Sequence, residues 1–485
     1  MQPGQARRVA TLHAQGSRQR EKGMKTLKRC MLTLIALFVL CGAMTVRAET
    51  VLEVDEGSHV DPWVREFFGS NIMTDLRACL QEAKANATPE NPYVIKVPAG
   101  TYDLYSKLHI GSNTTLDLTA GVTFVNRISN TMCGISSHAT ADYNGGGNVV
   151  IKGGVWNMNN IDNCAITASH LDGILIEGAT FINSCNSHTM EFSACRNLTI
   201  TGCTIADYTG DRKANTEAIQ FDILEKSHLS KGEPYDDTPC SNITVTNCTF
   251  RNLQSGIGTH SCFRGIYFTN INFSNNTFEN IQRHAIITMN YVGCTIANNT
   301  INGAGCGIFV QSVPRSGNNL YVPTVKAGRI VRNAATTITG NNITITKTAY
   351  KNVSVGIQIY GRKYRKKTKL VPKGNYRIEG VTISGNNITL LDSGYGIHCE
   401  GMDKSLIQAN TVTVATTAKA DRKGPGHAIE LKNATRNKVL GNTLRKTSKN
   451  KKVRNAYGIF CGSWTKKNKI KGNKIKGFGH HKIKR

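Results

Sequence analysis

The sequence predicts an all-β solenoid, one elongated domain of stacked coils capped by an N-terminal helix. Two observations carry this: a series of apolar anchors at irregular spacing, and an asparagine-rich turn signal recurring among them. The anchors are Ile166, Met190, Ile219, Ile257, Ile286, Ile308, Ile357, Ile397, Ile429 and Ile459. Each lies in a short alternating segment, such as His188-Thr189-Met190-Glu191-Phe192 or Ala218-Ile219-Gln220-Phe221-Asp222, the period-two pattern of a strand with one apolar face. Their separations run from 22 to 49 residues, as coils of constant cross-section with loops of variable length would give. The turn signal is Ser274-Asn275-Asn276-Thr277-Phe278, with counterparts at 297–301, 340–343, 385–388, 441–444 and 472–475. Asparagine tolerates a left-handed backbone and its amide can bond an equivalent amide one coil away, so these residues read as a structural ladder.

In chain order, residues 1–48 come first. Met24-Lys25-Thr26-Leu27-Lys28-Arg29, the apolar run from Cys30 to Gly42 and Val46-Arg47-Ala48 have the three parts of a secretory signal cleaved after Ala48, with Met24 as the expected true start. The apolar run is short for a membrane span, so the mature chain is expected to be secreted, with surface association as a variant. Residues 49–90 hold an N-terminal segment and a helix expected over Ile72 to Lys84, and the coils are expected from 91 to 485. The chain has 15 cysteines. Two fall in the signal, and the rest show neither CxxC pairs nor compact spacing, so Cys195, Cys203, Cys240 and Cys248 are expected as small core residues rather than a disulfide framework or zinc site.

Net charge is +28, with 60 Lys+Arg against 32 Asp+Glu. About 35 of those basic residues and only about 6 of the acidic ones follow residue 325. A front half near neutrality and a strongly basic back half imply an anionic neighbour such as an acidic polysaccharide, cell-wall polymer or surface polyanion. Nucleic acid is not expected, because no recognition-helix, zinc or RNA-binding signature accompanies the charge.

With the anchors pointing inward, the period of two sends their neighbours outward. Glu191 lies just after its anchor, Asp222 and His260 two positions further on than that, and His188, Glu217 and His284 two before an anchor, where strand meets turn. These residues are expected on one outer face across adjacent coils, which makes that face the candidate groove. Long inserts after the strands are expected to wall it with Arg315, Lys326, Arg329, Arg362, Lys363, Arg365, Lys366 and Lys367.

Two stretches resemble a known group. The expected helix followed by Val97-Pro98-Ala99-Gly100-Thr101-Tyr102 and Ser112-Asn113-Thr114-Thr115-Leu116-Asp117-Leu118 resembles the start of right-handed parallel β-helix proteins of the pectate-lyase-like superfamily. From Phe181-Ile182-Asn183-Ser184 through Cys195-Arg196-Asn197-Leu198-Thr199-Ile200 to Asn215-Thr216-Glu217-Ala218-Ile219, the chain resembles glycoside hydrolase family 28, the polygalacturonases. That resemblance implies a single right-handed parallel β-helix and a polysaccharide substrate. Asn215 and Thr216 match the family motif, Glu217 stands where it has a catalytic aspartate, and Gln220 replaces its second. Gln254-Ser255 stand where the family has an aspartate pair, and His284 matches its active-site histidine. Its Arg-x-Lys motif has no clear counterpart, and Arg283 is the residue available to meet a substrate carboxylate.

An inverting hydrolase needs a carboxylic acid and a carboxylate roughly 6.5–9.5 Å apart. The reading is therefore a secreted polygalacturonase-like hydrolase of a uronate-containing polymer, expected to be monomeric. Glu217, Asp222, His260 and His284 are the catalytic candidates, with His188, Glu191, Gln220 and Arg283 binding substrate and Glu191 as reserve acid. No cofactor or metal is required. Two alternatives stay open: a polysaccharide lyase using His260 or His284 as base, with calcium held by Glu217 and Asp222, and a non-catalytic surface protein that holds polyanions.

Overall fold

Alternation along the chain turns into a parallel β-helix. The structure is a computed structural model that describes residues 49–484 apart from 136–140, 212–215, 225–235, 260, 264–265, 313–333, 347–353, 362–376, 417–425, 450–454 and 480–482. Among the described residues, 36 strands join in one continuous parallel network and two more, Ile378–Glu379 and Met402–Asp403, pair with each other. Each coil supplies three short strands, and each strand pairs with its equivalents one coil before and after. Met190–Ser193 thus lies between Ile166–Ser169 and Glu217–Asp222, Arg196–Thr201 between Asp172–Glu177 and Ser241–Thr246, and Thr204–Ala206 between Thr180–Ile182 and Thr249–Arg251.

The anchors align without a slip. Ile166, Met190, Ile219, Ile257, Ile286, Ile308, Ile357, Ile397, Ile429 and Ile459 pair in succession, and none is exposed to solvent. Full burial of such a side chain contributes about 1.5–3 kcal/mol, so register is held at every coil. Aromatic rings stack along the same core, Phe250 on Phe278 at 4.6 Å and Phe124, Trp156 and Phe181 in series at 5.2 and 6.1 Å. Cys195, Cys203, Cys240 and Cys248 are buried and unbridged, as expected for small core residues.

The turn asparagines form the ladder. Asn276, Asn299, Asn341, Asn386, Asn410, Asn442 and Asn473 pass hydrogen bonds from each side-chain amide to the next side-chain carbonyl at 2.8–3.1 Å. Each also ties the backbone, as when Asn299 N–H donates to Asn341 Oδ1 at 3.0 Å. The preceding residue is left-handed in every coil, with φ of 57° at Asn275, 65° at Gly340 and 64° at Gly385, which explains why asparagine or glycine stands there in all but one coil, Ala409 being the exception.

The N-terminal end differs in detail from expectation. A parallel strand, Thr50–Glu53, pairs with Tyr93–Lys96, so the sheet starts before the capping helix. Two helices lie between them: α1 (Pro62–Phe68) and α2 (Ile72–Asn86). α1 is not among the expected elements, although Asp61-Pro62 carries its cap and first-turn signal; its Trp63, Phe67 and Phe68 are exposed and give no core-facing period. α2 matches the expected helix, opens on a capping box at Asn71 and Thr74, and buries Leu76, Cys79, Leu80 and Ala83. Its buried Asp75 accepts from the backbone N–H groups of Asp55 and His59 at 2.9 and 2.8 Å and lies 2.9 Å from His59 Nδ1. With Cys79 these groups bring ligand-type atoms within 4.8 Å of one another. Burial pushes the Cys79 thiol up to about 12, so it stays protonated, and the set acts as a polar clasp between segment and cap. No helix among the described residues is long and apolar enough to cross a membrane.

Candidate functional site

Register brings most of the candidates onto adjacent coils of one face. Glu191 pairs with Gln220, which pairs with Gly258. Glu217 pairs with Ser255, and since Ile257 pairs with Ile286, Ser255 in turn faces the position of His284. Asp222 pairs with Ser193. His260 lies outside the described residues, as do Asn215 and the basic residues expected to wall the groove.

Glu217 is the centre of the group. Its side chain is 1% exposed and reaches across Gly258 on the next coil, where a β-carbon would overlap Glu217 Cγ. The absent side chain at 258 is therefore what makes room for the carboxylate. His188, one coil earlier, lies with Nδ1 at 2.9 Å from the Glu217 carbonyl and 3.7 Å from Glu217 Oε2. A carbonyl can only accept, so His188 Nδ1 carries the proton and donates. His284 stands on the other side; burial and the adjacent Arg283 cation lower it to about 4, and the Glu217 charge opposes them. Its ring stacks against Phe309 at 5.5 Å. His284 is thus a neutral imidazole at neutral pH.

Asp222 is differently engaged. Ser261 N–H donates to Oδ1 at 3.1 Å, and the Gln220 amide donates to Oδ2. Glu191 is half-buried and lies 3.9 Å from Cys164 Sγ. Arg283 is also half-buried.

One expectation changes. Glu217, Gln220, Asp222 and His284 are 1, 1, 2 and 5% exposed, so these groups lie beneath the surface rather than on an open groove. A period of two fixes which way a side chain points; it carries no information about what crosses above it. Gly258 had no sequence signal of its own and is visible only through the reach of Glu217; Ser255, at the position of the family's aspartate pair, lies between Glu217 and the position of His284. A shallow groove of about 680 Å³ lies elsewhere, lined by Leu118, Thr119, Gly153, Gly178, Thr201 and Gly202. Its charged groups are Lys152 and Glu177, paired at 3.6 Å, which gives it no acid–base pair.

The buried imidazole has a consequence for stability. His284 in the unfolded chain takes a proton near its ordinary value of 6.5, and in the folded chain only near 4. Between those values the unfolded state binds more protons, so stability falls as pH drops from 6.5 to 4, by up to about 3 kcal/mol. Melting temperatures from pH 7 to 4 should decline less steeply for His284→Gln than for the parent; parallel curves would refute the assignment.

No family model matches the chain, and no curated protein matches it in sequence. Among solved structures, it is similar to a surface adhesin of Streptococcus pneumoniae, at 15% identity over 89% of this chain and 93% of that one, with a TM-score of 0.58. It is also similar to a family 28 exopolygalacturonase of Yersinia enterocolitica, at 12% identity over 88% of this chain and 78% of that one, with a TM-score of 0.52. At such identity the likeness is one of fold, and the fold is the parallel β-helix.

Proposed function

We propose that the protein is an exported carbohydrate-active enzyme that cleaves an acidic polysaccharide by hydrolysis at Glu217. The observation that carries this reading is the Glu217 carboxyl, held across Gly258 with His188 and His284 on either side of it. A titratable acid in a desolvated setting with adjacent imidazoles suits general acid–base work. Both Asp222 oxygens face donors, Ser261 N–H and the Gln220 amide, which suits a supporting role better than proton transfer. Glu191, one coil earlier and half-buried, is then the second carboxyl of the pair, and Arg283 meets a uronate carboxylate. The donors turned toward both Asp222 oxygens suit hydrogen bonding better than a calcium ion shared with Glu217.

The basic end supports an anionic polymer. Lys438 pairs with Lys469, and Arg445 with Lys476, on successive coils, with Lys471 and Lys474 alongside. Like charges directly opposite one another repel, and a polyanion would relieve that repulsion. Retention on immobilised polygalacturonate should therefore fall steeply as salt rises; salt-independent retention would count against it.

A second reading, a surface protein that binds the polymer and leaves it whole, draws support from the depth at which Glu217 and His284 lie. One screen separates the readings. Incubation with acidic and neutral polysaccharides should release reducing ends without new ultraviolet absorbance. Absorbance from an unsaturated uronate would indicate a lyase, and an intact polymer a binder.

A further inference from the structure

The same outer columns that hold Glu217 and Gln220 carry a second polar and aromatic group near the C-terminal end. Tyr395 pairs with His427 in the column of Glu217, and His398, Glu430 and Phe460 follow one another in the column of Gln220. Four coils separate the Ile286 strand from the Ile429 strand, roughly 19 Å at the spacing of adjacent strands. The Tyr395 and His398 rings are 4.6 Å apart, and the His427 ring lies on Phe460 at 4.6 Å and 13°. Tyr395, His398 and Phe460 keep part of their surface open to solvent.

Glu430 is only 7% exposed although its column points away from the core. Its Oε2 has no hydrogen-bond partner among the described residues, and neither has His398 Nε2. Two buried polar atoms without partners, side by side on neighbouring coils, are costly unless something else satisfies them. Burial raises the Glu430 carboxyl, and burial with the nearby Lys432 cation lowers His398 to about 4, so both lean toward their neutral forms. Lys432 itself is drawn off by Glu400 at 3.3 Å.

A sugar ring meets these demands. Its hydroxyls can donate to Glu430 Oε2 and exchange a hydrogen bond with His398 Nε2, while its apolar C–H face packs on an aromatic ring. An acidic sugar would have to bury its carboxylate in a setting that already disfavours the anion of Glu430 and whose nearby cation, Lys432, is held by Glu400. We propose that the coils anchored by Ile397, Ile429 and Ile459 hold a second carbohydrate site that takes a neutral hexose unit, with Tyr395 and Phe460 as its platform and Glu430 and His398 as its polar contacts. The site stands independently of the reading at Glu217.

Titration calorimetry of the full chain against hexaoses of β-1,4-glucose, α-1,4-glucose, β-1,4-mannose and β-1,4-galactose, with trigalacturonate as the acidic counterpart, tests it. At least one neutral hexaose should bind. Glu430→Gln, which puts a donor where an acceptor is needed, and Phe460→Ala should each weaken that binding by at least about tenfold, and Glu217→Gln should leave it unchanged. Tyr395→Phe, which removes a single hydroxyl, and His398→Gln provide milder variants should Phe460→Ala not fold. The proposal is overturned if no neutral hexaose binds, if trigalacturonate alone binds, or if binding is lost with Glu217 and kept without Glu430.

Discussion

Glu217→Gln is expected to lower turnover of the polymer substrate by roughly 100- to 10,000-fold, the usual cost of removing a positioned acid or base, with little change in melting temperature. The amide keeps the shape of the side chain and its path across Gly258, and loses only the ability to exchange a proton. A companion variant tests position rather than chemistry. In Gly258→Ala the added β-carbon would overlap Glu217 Cγ, so the carboxyl must shift although no functional group has been removed; activity should fall there too, with Glu217 intact. His188→Gln should cost less, because its bond to the Glu217 carbonyl orients the strand end rather than the reacting atoms. Near-normal rates in both Glu217→Gln and Gly258→Ala on a cleaved substrate would move the active site elsewhere.

The second large effect is on the scaffold. Asn341 donates to the Ile296 carbonyl at 3.0 Å and to Asn386 Oδ1 at 2.9 Å, and its own Oδ1 accepts from Asn299 N–H and the Asn299 amide. In Asn341→Ala several of these buried partners lose their bonds together. At about 1–3 kcal/mol for each group left unsatisfied, a loss on the order of 3–5 kcal/mol is expected. In a solenoid each coil contacts only its neighbours, so amide hydrogen exchange should speed up first in the coils around Asn299 and Asn386. Asn275→Gly is the matched control: exposed, left-handed at φ 57° and outside the ladder, it should change stability by less than about 0.5 kcal/mol. Equal effects of the two substitutions would mean the ladder does not hold the turns.

The anchor isoleucines, the turn asparagines and the capping helix α2 were legible in the sequence because each is set by a local rule. A period of two fixes which side chains enter the core, and repetition at every coil leaves no other register that buries them all. The outward position of Gln220 was legible for the same reason, since it directly follows the inward Ile219, whereas Glu217 lies two residues before that anchor, where strand meets turn, and alternation alone does not turn it outward. The first strand, Thr50–Glu53, was not legible: four residues become a strand only because Tyr93–Lys96 offers an open edge. Nor was α1, whose exposed aromatics carry no core-facing period.

What the sequence by itself determined is the coil, its inward column and the outward direction of the residues next to each anchor, because backbone alternation and apolar burial act within one strand and its immediate neighbours. Only the tertiary structure decided the depth of Glu217, Asp222 and His284, the bond between Ser261 and Asp222, the space that Gly258 leaves for Glu217, and the second group of Tyr395, His398, Glu430 and Phe460. These depend on contacts between residues some 30 or more positions apart, and on how far a side chain reaches over the next coil. Periodicity along one strand encodes neither.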